Sequence, residues 1–231
     1  MAQVSGRSFV HVLALQVDPA WRRQSPEARE ADCEALLEAA RQAAERVTTY
    51  TYSMVGTRTD VDMLFWRLGA SLEDLEETAS KLLCSGVGKW CTISHSMIGL
   101  VRPSKYVKER TPQEEAMFTG DRSRYLIVYP FVKTTEWYLM PEDEQRRQMS
   151  EHIRVGRRYP MIQQLLAYSF GLDDQEFIVA YETDDLGAFQ DLVRDLRGTE
   201  GRLATVRDVP QLVGVHRPLA DIMALIGGPE A

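Results

Sequence analysis

The alternation of apolar and polar positions divides the chain into two runs of the same pattern. Residues 8–17, Ser-Phe-Val-His-Val-Leu-Ala-Leu-Gln-Val, predict a strand. Asp18-Pro19 caps the turn that follows, and Ser25-Pro26 is a second helix-start signal. Cys33, Leu36, Leu37 and Ala40 recur at helical spacing to about Ala44. Thr48 to Val55 is rich in β-formers and ends at Gly56, and Asp62 to Leu68 predicts the next strand. Ser71 to Leu83 predicts an amphipathic helix with Leu72, Leu75, Ala79 and Leu82 on one stripe. Lys89 to Val101 predicts a closing strand. The order then restarts with strand 124–132, helix 141–158, strand 162–170, turn 171–174, strand 175–183, helix 185–197 and a last strand near 203–216. Landmarks repeat at one offset: Gly56 with Gly171 (171 − 56 = 115), Arg102-Pro103 with Arg217-Pro218 (217 − 102 = 115), and Phe65-Trp66 with Ala180-Tyr181. The pattern implies an internally duplicated β-α-β-β-α-β unit, the ferredoxin-like arrangement, each copy an antiparallel sheet with helices on one face. The expected fold class is α+β, with two ferredoxin-like units, 1–115 and 116–231, able to pair as a dimeric α+β barrel.

Composition narrows this picture. A chain of 231 residues with 44% apolar content suits one large domain or two small ones with a sizeable core. No apolar run reaches ~18 residues, so no membrane span is expected. The stretch Met1 to Arg7 lacks the apolar core of a signal peptide. Cys33, Cys84 and Cys91 are scattered and fit reduced thiols in the cytoplasm; Cys84 and Cys91 lack the partner pair of a metal site. A formal charge of −7 argues against a nucleic-acid partner. Arg146, Arg147, Arg154, Arg157 and Arg158 crowd one predicted helix, either as a solvated face paired with neighbouring acids or as an anion-attracting surface beside a pocket. The polar link from Pro103 to Ser123 reads as a surface loop, a pocket flap or a plain connection.

Candidate chemistry concentrates between Arg124 and Phe177. Helical geometry gives His152 the company of Met149, Gly156 and Tyr159 on one face. The glycine leaves room for a flat ligand, and imidazole suits haem iron. A hydrogen-bonded, half-buried histidine is the plainer reading. His11, His95 and His216 lie on predicted strands, too far apart in sequence for a metal signature. Alternation puts Tyr125, Ile127, Tyr129, Phe131 and Lys133 on one side of their strand, with Pro130 suggesting a sheet edge or strand end. Tyr129 is either a core aromatic or a donor inside a pocket. Lys133 is either solvated or a partner for a carboxylate. Trp137 reads as packing. Gly171-Leu-Asp-Asp174 reads as a tight hairpin turn rather than an acidic metal site. No Gly-x-Gly-x-x-Gly, phosphate-binding or Gly-x-Ser-x-Gly motif is present.

Tyr129-Pro-Phe-Val-Lys133, Glu136-Trp-Tyr-Leu-Met-Pro141, Glu151-His152, Gly156-Arg-x-Tyr159 and Ser169-Phe-Gly-Leu-Asp-Asp174 together resemble the chlorite dismutase-like superfamily, most closely its coproheme decarboxylase branch. The resemblance covers almost all of 122–218; the N-terminal half is similar in architecture alone. It implies an iron porphyrin, haem or coproheme, held in the C-terminal half. His152 would be the proximal iron ligand, Tyr129 the catalytic tyrosine and Lys133 the residue that orients a propionate. Trp137 matches an aromatic beside the proximal side and Met149 lies near it; Gln164 matches a distal glutamine, and Arg202 stands where a related branch binds a propionate with serine. It further implies hydrogen peroxide as co-substrate and homo-oligomers, commonly pentamers. Ile153 departs from the glycine that usually follows the proximal histidine, and Pro112-Gln113 lacks the distal histidine of one group of decarboxylases. The absence of arginine in Gln163-Gln164-Leu165 speaks against chlorite chemistry. The enzyme expected is a peroxide-dependent coproheme decarboxylase of haem biosynthesis. The alternatives are a haem peroxidase, a chlorite dismutase-like enzyme, or a non-enzymatic haem-binding or haem-transfer protein.

Overall fold

The structure is a computed structural model that describes residues 8–102, 117 and 122–229. Most of the Pro103–Ser123 link, including Pro112-Gln113, lies outside the described residues, as do residues 1–7. In chain order the elements are β1 (Ser8–Val17), α1 (Pro26–Ala43), β2 (Thr48–Ser53), β3 (Met63–Gly69), α2 (Leu72–Leu83), β4 (Cys91–Val101), β5 (Tyr125–Lys133), α3 (Thr135–Leu139), α4 (Glu142–Gly156), β6 (Gln163–Tyr168), β7 (Phe177–Thr183), α5 (Leu186–Arg197), β8 (Thr205–Arg207), β9 (Leu212–His216) and α6 (Leu219–Leu225). This is the mixed α+β class with antiparallel sheet that the sequence predicts. No described helix is long and apolar enough to cross a membrane. Two compact units emerge: Met1–Leu100 with Gly214–Ala231, and Val101–Val213. The C-terminal helix α6 thus belongs with the first unit.

In the first unit the strands run in the order β4-β1-β3-β2-β9. Ser25 and Ser71 cap α1 and α2 by accepting the N–H groups of Ala28 and Asp74. Leu13, Leu15 and Val17 of β1, Met63 and Phe65 of β3, Trp21, Cys33 and Leu36 form one buried cluster with Ile222, Met223 and Ile226 around α6. The helix-facing side of this sheet is therefore closed by its own side chains.

In the second unit β7 pairs with both β6 and β5, and β5 with β8. The register sets out rows across one face: Gln164–Tyr181–Ile127, Leu166–Val179–Tyr129 and Tyr168–Phe177–Phe131. The corresponding rows of the first unit include Thr49–Arg67–His11 and Thr51–Phe65–Leu13. Thr49 and Gln164 keep the offset of 115 (164 − 49), whereas Arg67 and Tyr181 differ by 114 (181 − 67). Phe65 thus corresponds to Val179, not to Ala180 as the sequence landmark suggested. A one-residue slip would turn Ala180 from its buried face toward the helices, and the pleat forbids that. Pro130 does not end its strand, which continues to Lys133. The predicted last strand, 203–216, is broken into β8 and β9.

The two faces of the second sheet differ. Val128, Pro130, Leu165, Ala167, Ile178 and Ala180 are buried. On the opposite face Tyr129, Phe131, Gln164, Leu166, Tyr168, Phe177 and Val179 are only half-buried. At one end of that face Ile127 and Tyr181 pack with Ile162, Phe189 and Leu192, and Val155 of α4 touches the same cluster. What remains is a broad apolar and aromatic surface that its own unit does not fully cover.

Candidate active site

Tyr129 sits in the middle row of that surface, opposite Val179 and diagonal to Tyr181, whose ring centroid lies 6.3 Å away. Burial holds its phenol well above the usual tyrosine range, the neighbouring Tyr181 phenol adds to this, and Asp208 and Arg197 act on it in opposite senses. Tyr129 therefore stays protonated at neutral pH, with a hydrogen atom to give. Gln164 shares the face through its pairing with Tyr181.

Lys133 ends the strand, where the pairing with β8 shifts register: Arg207 faces Val132 and Thr205 faces Lys133. Its ammonium lies 4.0 Å from the Trp137 ring centroid and 5.5 Å from that of Phe131. It donates to the Gly201 carbonyl at 3.3 Å and forms no ion pair with any described carboxylate. Burial lowers its pKa to about 8, and Glu176 pulls the other way. Trp137 is buried, and Thr134 caps α3, its hydroxyl accepting the Trp137 N–H at 3.3 Å.

His152 lies on α4. Glu142, Asp143 and Glu144 in the first turn and Arg154 in the last complement the helix dipole. Three of the five clustered arginines pair with neighbouring acids. Arg146 bonds Glu142 at 2.7 Å, Arg147 bonds Glu144 at 2.7 Å and also Glu200, and Arg158 pairs with Asp195. On the inner side, buried Gln145 donates to the carbonyls of Trp137 at 2.9 Å and Met140 at 3.0 Å, tying α4 to the turn that carries Trp137. His152 and Met149 are half-buried. Burial, and next the Lys133 charge nearby, lower the His152 pKa to about 4, so its imidazole is neutral at pH 7 with a lone pair free for a metal. Gly156 faces open space.

The structure thus brings Lys133, Trp137 and His152 together, and places Tyr129 and Gln164 on one sheet face with Tyr181. Arg202 stands slightly apart in its engagements: its guanidinium bonds Asp208 at 2.6 Å, and Asp208 also accepts from Arg197 at 3.0 Å. Tyr181, Glu176, Gly201 and the Arg197–Asp208 pair did not emerge from the sequence as site residues. Strand register was the signal for Tyr181, and the spacing of single residues does not carry it. Among the described residues no group of three or more His, Cys, Asp or Glu side chains could hold a metal ion, so an iron at His152 would need its other ligands from elsewhere.

Comparison with known proteins agrees with this architecture. The chlorite dismutase family profile matches residues 27–217. A coproheme decarboxylase from Mycolicibacterium smegmatis is 33% identical over 175 residues, covering 75% of this chain and 74% of that protein. A mutant chlorite dismutase from Candidatus Nitrospira defluvii superposes with a TM-score of 0.87 at 24% identity, over 95% of each chain. Chlorite dismutase from the same organism in complex with imidazole gives a TM-score of 0.86, also at 24% identity and over 95% of each chain. With a profile that spans most of its length and a relative above the identity at which family membership is secure, this chain belongs to the chlorite dismutase family.

Proposed function

We propose that the protein is a peroxide-dependent coproheme decarboxylase, working in the cytoplasm as a homo-oligomer. The observation that carries this reading is the strand Tyr129–Lys133. It sets a protonated phenol and an ammonium without a carboxylate partner four residues apart, beside a half-covered apolar face and a neutral His152. The residues fit an iron porphyrin. The rows of Leu166, Val179, Phe177 and Phe131 suit a flat apolar ring, Lys133 suits an acidic arm, and His152 suits the metal. The relative from Mycolicibacterium smegmatis supports the same substrate.

Bound iron would supply the two-electron chemistry that peroxide drives. The chain's own residues then have three tasks. His152 holds the iron, with Trp137 and Met149 beside it. Lys133 holds a propionate so that its β-carbon faces Tyr129. Tyr129 gives up its hydrogen atom and recovers one from that β-carbon. The balance is one propionic acid side chain and one hydrogen peroxide giving one vinyl group, carbon dioxide and two waters; a second round on another propionate yields haem b. Gln164, on the sheet face shared with Tyr129, would contact the bound ring. Arg202 is a second cation for an acidic arm, once Asp208 releases it. Exposed apolar side chains on the second unit, Leu139 at 79% and Leu203 at 85%, suit self-association, with the pentamer of related proteins as the expected count.

The test is to add ferric coproheme to the purified protein, titrate hydrogen peroxide and follow product masses. Stepwise loss of two carboxyl groups is expected; an unchanged four-propionate porphyrin rejects the reading. Chlorite degradation or simple peroxidase turnover is the second reading, since the solved structural neighbours include chlorite dismutases. Gln164 separates the two, because a neutral amide holds an anionic oxidant less well than a guanidinium. A haem-transfer protein would keep its function in Tyr129→Phe.

A further inference from the structure

We infer that Glu176 is a positioning residue that presents Lys133 to the substrate carboxylate. The inference rests on the function proposed above and concerns a residue that touches neither the ring nor the reacting carbon.

Pairing of β5 with β7 ends at Phe131 and Phe177, and Glu176 is the residue just before β7. On the other side β5 shifts register against β8 between Val132 and Lys133. The extra residue is Val206 of β8, so the bulge lies in that strand, and Lys133 has simply run past the last pair with β7. Here the Lys133 N–H is satisfied by a side chain: it donates to Glu176 Oε2 at 2.7 Å. Glu176 is itself tied to the strand, its N–H donating to the Phe131 carbonyl at 3.3 Å. The same Oε2 accepts the Tyr138 hydroxyl at 2.5 Å. Tyr138 follows Trp137 on α3, and the Lys133 ammonium lies over the Trp137 ring. One carboxylate oxygen therefore locks the strand end that starts the lysine side chain to the helix on which that side chain rests.

Glu176 could instead be a plain counter-ion for Lys133, but the two side chains make no ion pair. It grips the backbone and leaves the ammonium to the Gly201 carbonyl and the Trp137 face. A cation held this way keeps its charge for an incoming ligand while its stem stays fixed, which is how a positioned group lowers the cost of binding.

The experiment titrates ferric coproheme and, separately, ferric haem b into full-length wild type, Glu176→Ala, Glu176→Asp, Lys133→Ala and the Glu176→Ala/Lys133→Ala double variant, following the porphyrin absorbance. Haem b lacks the propionates that Lys133 would hold. Glu176→Ala is expected to weaken coproheme binding by about tenfold, the scale of one charged hydrogen bond, with haem b within about twofold of wild type. In the Lys133→Ala background the same change is expected to add nothing further. Glu176→Asp keeps the charge and shortens the arm, so it should behave like Glu176→Ala, and it serves if the alanine variant does not fold. Equal weakening of both porphyrins, or a full Glu176→Ala effect without Lys133, overturns the inference. Wild type that binds coproheme selectively yet never converts it with peroxide sinks the functional reading alone, and the binding arms still decide the role of Glu176.

Discussion

Burial keeps the imidazole of His152 neutral and the phenol of Tyr129 protonated, and both states are needed for the roles proposed. Replacing Tyr129 by phenylalanine removes one oxygen from a half-buried ring. Coproheme affinity should stay within about threefold, while peroxide-driven conversion should fall by about a hundredfold or more, the scale of losing a proton-transfer group; single-turnover product analysis checks both. Tyr129, Lys133, Trp137 and His152 could be named as candidates from the sequence because strand alternation and motif spacing are local properties. Alternation set Tyr125, Ile127, Tyr129, Phe131 and Lys133 on one side; the pairing with β7 bears this out through Phe131, and the Lys133 ammonium lies 5.5 Å from the Phe131 ring centroid. Tyr181 and Glu176 were not legible. They reach Tyr129 and Lys133 through strand pairing, which depends on register between segments about fifty residues apart and leaves no local signature.

Elements hold these residues in place through a few polar contacts. Gln145 supplies the donors for the carbonyls of Trp137 and Met140, so Gln145→Leu leaves both acceptors short of partners. A loss of about 1–3 kcal/mol in stability is expected, read from denaturant unfolding, with weakened coproheme binding because α4 and the Trp137 turn loosen together. In the first unit Arg58 and then His95 hold Asp60 well below the usual carboxylate range. A depressed carboxylate stabilises the fold above its unfolded pKa, about 3.9, and loses that contribution as pH falls through the folded value. Asp60→Asn should therefore lower the melting temperature at pH 7, and the gap should narrow progressively as pH falls below the unfolded value toward the folded one. The gap is small, about 1 kcal/mol or less, since the side chain is 36% exposed. The β-α-β-β-α-β order of each half was readable from the sequence because each long element carries its own periodicity. The break within 203–216 and helix α6 were not, since three-residue strands and a seven-residue helix are too short to show a period.

Across the whole molecule one supersecondary unit is used twice, to different ends. In the first, Leu13 and Phe65 take the positions of Tyr129 and Val179, and α6 contributes to a sealed core. In the second, the matching face is half-covered and carries the Tyr129 phenol, with Lys133 at the end of the same strand and His152 on α4. Duplication was visible as repeated landmarks; which copy stays open was not, because the helix that helps to close the first unit lies at the far end of the chain. A single porphyrin per chain should bind, and a titration end point near two equivalents would contradict this. The account depends above all on His152 as iron ligand. The direct measurement is the electron paramagnetic resonance and absorbance spectrum of ferric coproheme bound to wild type and to His152→Ala, each with and without added imidazole. The account predicts that the alanine variant loses the nitrogen-ligand signature and that free imidazole restores it; the same spectrum in both proteins would contradict it.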